Sequence, residues 1–322
     1  MVITNNYSHH ATGGGNNNGI EIDDGSQHVM LDNNMTEENY GGVEVKAHAT
    51  ASAPNNVMIS NHMSIKDSRS YNIRHIGHHR AGDPKSKTAH SVIMNNCSSI
   101  TPYDNKVYPG TTPRALVISG YRNVQVNGYT AVGDGTYTAN MPVVAVQFMS
   151  NNIMLNNINI TGFKNSLADI KIFGGGNRGK KITISNVNIW NSSANRGIAG
   201  GGGIYDLRII NANLQGQGTG NGLELYNNTA EVIGVNAENY NNAAYITNKA
   251  YRFVPTAVKG GFSGGSTGAA AIAERSAVIA TTGNSYAHSD RSWLAGVGAG
   301  SHAHGSRSSV TNSLESETLP GA

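Results

Sequence analysis

Cysteine is almost missing from this chain: Cys97 stands alone among 322 residues, so no intrachain disulfide can form. Its setting, Val-Ile-Met-Asn-Asn-Cys97, is that of a small buried side chain rather than a reactive thiol. Charge is also scarce, at 13% of residues and a formal net of +3, and Lys and Arg never cluster. That excludes the basic footprint of a nucleic-acid binder, so no nucleic-acid partner is expected. No apolar run approaches the ~20 residues that span a bilayer, and no basic segment leads into an apolar one. Neither a membrane helix nor a secretory signal is expected. Ala, Leu, Glu and Lys are nowhere concentrated, whereas Gly (40 residues) and a similar number of Asn are spread throughout, which argues against long helices. Hydrophobic residues still make up 38%, enough for a packed core.

What the chain does have is a repeat. An aliphatic anchor, alternating residues and an Asn four places on recur as Val2–Asn6, Val29–Asn33, Val57–Asn61, Val92–Asn96, Ile153–Asn157, Ile182–Asn186, Leu207–Asn211 and Val232–Asn236. Val124 fits the series with Gly128 in the Asn place, and successive anchors lie 27, 28, 35, 32, 29, 29, 25 and 25 residues apart. Each anchor opens a short alternating strand such as Val-Met-Ile-Ser-Asn61. Such spacing is one coil of a parallel β-helix, in which each coil pairs with the next because none can bury its own face. The fold class is therefore all-β: a right-handed, single-stranded parallel β-helix. The recurring Asn is expected to stack as an amide ladder, the alternative being that Asn merely marks turns.

A second strand precedes each anchor: Gly-Ile-Glu21-Ile, Gly-Val-Glu44-Val-Lys46, Asn-Ile-Arg74-His-Ile, Ala-Val-Gln147-Phe, Asp-Ile-Lys171-Ile and Gly-Leu-Glu224-Leu. With the flanking aliphatics inside, Glu21, Glu44 and Arg74 should form an outward column with a step of roughly 4.8 Å. Asp23, Asp24, Lys46 and His48 lie beside it, and His75, His78, His79 and Arg80 follow Arg74. Two carboxylates one step apart repel, which should raise one of them and keep it protonated. About 5 Å is also the separation between acid and nucleophile in a retaining glycosidase. A phosphodiester would favour His as general acid–base, with Arg and Lys on the phosphate oxygens. His75 should point inward as a core histidine. The long segment between Ala81 and Arg114 is a second place for a binding face.

After Phe262 the pattern changes. Arg275-Ser276, Arg291-Ser292 and Arg307-Ser308 recur with a period of 16, as do Ala271, Ala287 and Ala303. Two domains follow: residues 1–262 as β-helix, and residues 263–322 as a tail of 16-residue β-repeats. So few large apolar residues fit a narrow coil that buries its face against copies of itself, most simply about a threefold axis. His288, His302 and His304 have no recurring carboxylate or cysteine beside them, so no metal site is assigned and the cofactor is left unknown.

The run Asn39-Tyr-Gly-Gly-Val-Glu-Val-Lys-Ala-His48, followed by Ser70-Tyr-Asn-Ile-Arg-His-Ile-Gly-His-His79, resembles the pectate-lyase-superfamily β-helix of Bacillus phages and prophages. The nearest match in kind is the neck appendage, or tailspike, family of small Bacillus podoviruses. The tail repeats are similar to the trimeric segment that in that family precedes a self-cleaving chaperone. The resemblance covers nearly the whole chain and implies a homotrimeric virion appendage, acting at the host surface, that binds and hydrolyses a Gram-positive cell-wall polymer, teichoic acid being the implied substrate. It also implies virion partners held through an N-terminal region not seen here, so the chain is expected to be a fragment or a processed form. The resemblance carries over no catalytic residue, though Glu44, Lys46, His48, Arg74, His78 and His79 fall within its run. From the charged column, Glu44, Asp24, His48 and Glu21 are the catalytic candidates, and Lys46, Arg74, His78, His79 and Arg80 the substrate-binding ones. The alternatives are a non-catalytic adhesin or spacer, and a lyase or glycoside hydrolase acting on an acidic glycan.

Overall fold

The computed structural model describes residues 1–11, 17–48, 51–75, 91–102, 114–135, 141–164, 167–173, 180–201, 204–226, 230–240, 242–247 and 256–261, and beyond these the strands 270–274, 277–280, 286–290, 293–297, 302–306 and 309–313. Every regular element among them is a strand, and every pairing is parallel, each strand hydrogen-bonding its equivalent one coil away. The strands form two stacks, a 16-stranded sheet and a 12-stranded sheet, which is a parallel β-helix.

Alternation builds the core. Val29, Val57, Val92, Val124, Ile153, Ile182 and Leu207 follow one another in register on the larger sheet, and each is buried. Opposite them, Val43, Tyr71, Leu116, Val144, Ile170, Ile198 and Leu223 do the same on the smaller sheet. Each such aliphatic contributes about 1.5–3 kcal/mol on burial. His75 faces inward and is buried, paired in register with Ala47. Cys97 is buried as well, and its surroundings push the thiol up to about 11, so it is inert packing.

The Asn repeat has a backbone cause. Asn33, Asn61, Asn96, Asn157, Asn186 and Asn211 all hold a positive φ, between 51° and 55°, and Gly128 holds 70°. The chain turns a corner there; in the strand Val92–Ile100 the turn falls within one continuous element. Asn is the side chain that tolerates this left-handed conformation best after Gly. The corner Asn residues are exposed, and the expected ladder is only partial. Asn33 donates to Asn5 Oδ1 (2.7 Å) and Asn211 to Asn186 Oδ1 (2.7 Å), but Asn61 donates to Asp32 and Asn186 to Asn156. Two corners are corrected. In the first coil it is Asn5 (φ 57°), not Asn6, that lies over Asn33; in the last it is Gly234 (φ 63°), Asn236 pairing instead with Asn213.

The two stacks run on in unbroken strand order into the 16-residue repeats, with a register shift in each sheet on the way, between Val232 and Val235 and between Asn242 and Ala244. Within the repeats Ala271 pairs with Ala287 and Ala287 with Ala303. Arg275, Arg291 and Arg307 lie outside the described residues.

One buried acid bears on stability. Asp169 is inaccessible; burial raises its carboxyl to about 7, and the hydrogen bond from Ser192 (2.7 Å) only partly opposes this. Because the folded value lies above the unfolded one, its contribution is fullest below pH ~4 and is lost as pH rises through about 7. Asp169→Asn should therefore match or exceed the parent's melting temperature at pH 8 and lose that advantage at pH 4. The difference should be on the order of a few kcal/mol, read by thermal unfolding at both pH values. At the corner, Asn157→Gly should leave stability nearly unchanged, whereas Asn157→Val should lower it by about 1–2 kcal/mol in urea unfolding, because a β-branched residue cannot adopt positive φ without strain.

Candidate functional site

The smaller sheet presents its outward positions as columns. Glu21 stands in register with Glu44, which stands with Asn72; the neighbouring column is Asp23, Lys46 and Arg74. Arg74 therefore does not continue the Glu21–Glu44 column as expected; it follows Lys46 and reaches diagonally to Glu44. The reason is that Tyr71 and Ile73, not Ile73 and His75, occupy the inward places of Val43 and Val45.

These side chains form one hydrogen-bonded network. Asn18 Nδ2 bridges the two carboxylates, donating to Glu21 Oε2 (2.6 Å) and Glu44 Oε2 (2.7 Å). Glu44 Oε1 accepts from Asn72 Nδ2 (3.1 Å) and from Arg74 Nε. Lys46 Nζ lies 2.6 Å from Glu21 Oε1 and 3.5 Å from Asp23 Oδ2. Gly41 makes room for the bridge, since a Cβ there would lie 2.1 Å from Asn18 Oδ1.

Burial divides the group into two layers. The side chains of Lys46 and Glu44 are only 1% and 2% exposed, although both face outward. Arg74, Asp24 and His48 reach solvent, at 28%, 38% and 49%. At this rim the backbone N–H of His48 donates to Asp24 Oδ1 (2.8 Å), and His48 Nδ1 lies 2.8 Å from Asp24 Oδ2. With Nδ1 so engaged, Nε2 is the nitrogen left to exchange a proton with a ligand. Burial would raise the Asp24 carboxyl, but the His48 hydrogen bonds outweigh it and hold it below the usual range.

The expected elevation by like-charge repulsion does not occur at Glu21. Burial pushes its carboxyl up, yet Lys46 and Asn18 hold it down, and Lys46 is raised in turn by Glu21 after its own desolvation is overcome. Lys46, expected on substrate, is thus committed to neutralising two carboxylates from within. Asp23, Asp24 and His48 bring ligand atoms within 4.8 Å of one another, a set that could hold a metal ion and that the sequence reading did not single out. His78, His79 and Arg80 lie outside the described residues, as does most of the Ala81–Arg114 segment. Asn18 and Asn72 were missed because amides carry no titratable signal in a sequence.

Fold and site together define a parallel β-helix with a charged, hydrogen-bonded row on one outward sheet face. The chain is similar to the pre-neck appendage proteins of Bacillus phages over about a third of their length. It is 38% identical over 284 residues to the pre-neck appendage protein of Bacillus phage phi29, covering 87% of this chain and 33% of that protein. It is 39% identical over 281 residues to the pre-neck appendage protein of phage B103, covering 86% and 33%. To the phage-related protein YobO of Bacillus subtilis (strain 168) it is 46% identical over 282 residues, covering 87% and 35%. The chain thus spans about a third of the length of these relatives. Among solved structures, pre-mature bacteriophage phi29 gene product 12 matches with a TM-score of 0.71 at 29% identity, over 94% of this chain and 48% of that one. The A-module of the Azotobacter vinelandii mannuronan C-5 epimerase AlgE6, at 12% identity and a TM-score of 0.54 over 92% and 81%, shares the fold alone. No family model matches.

Removing Lys46 should expose what it balances. Lys46→Met should destabilise the protein by on the order of 2–3 kcal/mol in urea unfolding near neutral pH, at the low side of a broken buried pair because Glu21 is partly solvated. Since the Glu21 carboxyl is depressed in the folded protein, the parent loses that contribution as pH falls below about 4.5; the variant should lose much less over the same window.

Proposed function

We propose that this chain is the β-helical part of a virion appendage that binds and hydrolyses an anionic polymer of the Gram-positive cell wall, teichoic acid being the favoured substrate. The observation that carries this is the solvent-reaching His48–Asp24 pair, on the coil next to that of Arg74, at the rim of a row whose Glu44 and Lys46 are buried. Arg74 is placed to take a phosphate oxygen, a recognition for which a guanidinium is well shaped. His48, oriented by Asp24, takes a proton from the attacking water. The phosphorus–oxygen bond to the leaving alcohol breaks, and His48 returns the proton to that alcohol. Glu44 and Lys46 act beneath, Glu44 holding Arg74 and Lys46 holding Glu21. Glu21 and Asp23, at 24% and 37% exposure, are the carboxylates around Lys46 that remain partly open to a ligand.

The tail supports a homotrimer. Its strands carry mostly Ala, Gly, Ser and His at 16-residue steps, too little apolar surface to order a chain without association. Adsorption and virion attachment would then be tasks of the whole appendage, of which this chain is about a third.

Purified teichoic acid incubated with the protein should yield shortened products. His48→Asn should reduce their release by about a hundredfold or more, while sedimentation still shows a trimer. A second reading, a binding module without chemistry, is favoured by the pairing of Glu21 with Lys46 and of Glu44 with Arg74. Retained binding with no product from teichoic acid or from acidic polysaccharides would establish it instead.

A further inference from the structure

The outward column that begins at Glu21 does not end at Arg74's coil. It continues in register through Val117, Ala145, Lys171, Ala199 and Glu224. After the uncharged Val117 and Ala145, charge returns at Lys171 and, two rungs on, at Glu224, roughly 10 Å apart at the spacing of neighbouring strands. Between them stands the small residue Ala199, which is itself buried beneath its neighbours.

The surroundings of Glu224 repeat the first site. Asn221-Gly-Leu-Glu224 matches Asn18-Gly-Ile-Glu21. In both, the Asn side chain donates to the carboxylate three residues later, and a cation from a neighbouring coil takes the other oxygen: Lys46 on Glu21, Arg196 on Glu224. The charge balance differs. Lys46 and Arg74 face Glu21, Asp23 and Glu44 in the first site, whereas among the described residues the acid beside Lys171 and Arg196 is Glu224. Among the described residues Lys171 forms no ion pair; its Nζ rests 4.8 Å from the centre of the Phe173 ring. Glu224 is buried, while Lys171, Arg196 and Phe173 are partly accessible.

From this excess of cation beside an aromatic ring, along the same sheet face as the first site, we infer that Lys171, Arg196 and Glu224 form a second station that binds an anionic group of the polymer, phosphate or carboxylate. Glu224 fixes the Arg196 guanidinium, Lys171 meets the anion from two rungs away, and Phe173 offers an apolar face to the polymer's carbon skeleton. Burial, and then the nearby Arg196, hold the Lys171 amine below its usual range, a strain that a bound anion relieves. Arg74 and Phe173 lie in one column three rungs apart, roughly 14 Å, so a single extended polymer can engage both stations. The inference rests on the reading that the protein engages an anionic polymer, and not on hydrolysis.

The test is calorimetric titration of the full chain with purified poly(glycerol phosphate) teichoic acid and, separately, with polygalacturonate. Lys171→Met should weaken binding of one of these polymers by about tenfold, the loss of one charge-assisted contact, and Lys171→Glu should weaken it further. Both changes leave the Arg196–Glu224 pair in place, and unchanged melting temperatures would confirm intact folding. A loss confined to teichoic acid identifies phosphate as the ligand group, and one confined to polygalacturonate identifies carboxylate. Unchanged affinity of both Lys171 variants for both polymers overturns the station, even if Arg74→Met abolishes product release. Binding that depends on Lys171 with no product released from either polymer supports the station while removing the hydrolytic reading.

Discussion

The backbone ladder between successive coils is the constraint on which everything else here depends. A residue's neighbours across the sheet are fixed by what stands one coil earlier and one coil later. Aliphatic residues therefore stack on aliphatic residues, and the core is a set of columns rather than a cluster. The same rule governs charge. An outward carboxylate meets whatever the next coil offers at that height, and two carboxylates in one column need cations from beside or diagonal to it. Lys46 and Arg74 supply them to Glu21 and Glu44, with Asn18 as a shared donor between the two acids.

Much of this was legible in the sequence, for a reason that also explains the errors. The left-handed corner admits few residues, so Asn at Asn33, Asn61, Asn96, Asn157, Asn186 and Asn211, with Gly128 as the permitted exception, marks the coils directly. Between corners, register was read from alternation, which has a period of two. A slip of two residues keeps every aliphatic side chain inside and is invisible to that signal. Arg74 and Asn236 are both displaced by two places for this reason. The slip of one at Val2 is different in kind: it turns the side chain outward, and Val2 is exposed beside Met30.

The membership of the site was more legible than its roles. Sequence proximity correctly gathers Glu21, Asp24, Glu44, Lys46, His48 and Arg74 on one face. It cannot show which of them lies beneath the others. Outward orientation suggests exposure, yet Glu44 and Lys46 are buried while His48 and Asp24 form the rim. That reversal leaves the imidazole, not the carboxylate pair, at the surface where a ligand meets the face, with the pair as its foundation. The amides Asn18 and Asn72, which hold that foundation together, became visible only as geometry.

The corners have a consequence for how such a face can change over time. Each coil begins and ends at the same corner of the cross-section, one strand spacing further along, so a coil can be gained or lost as a unit without disturbing the contacts inside those that flank it. The coil from Val124 to Ile153 is such a unit, closed by Gly128 and Asn157 at equivalent corners. Removing one whole coil between two groups on the sheet brings them closer by a single strand spacing and alters neither group. The solenoid is in this sense a ruler whose graduations are inherited intact, and the distance between features along it can be set independently of the features themselves.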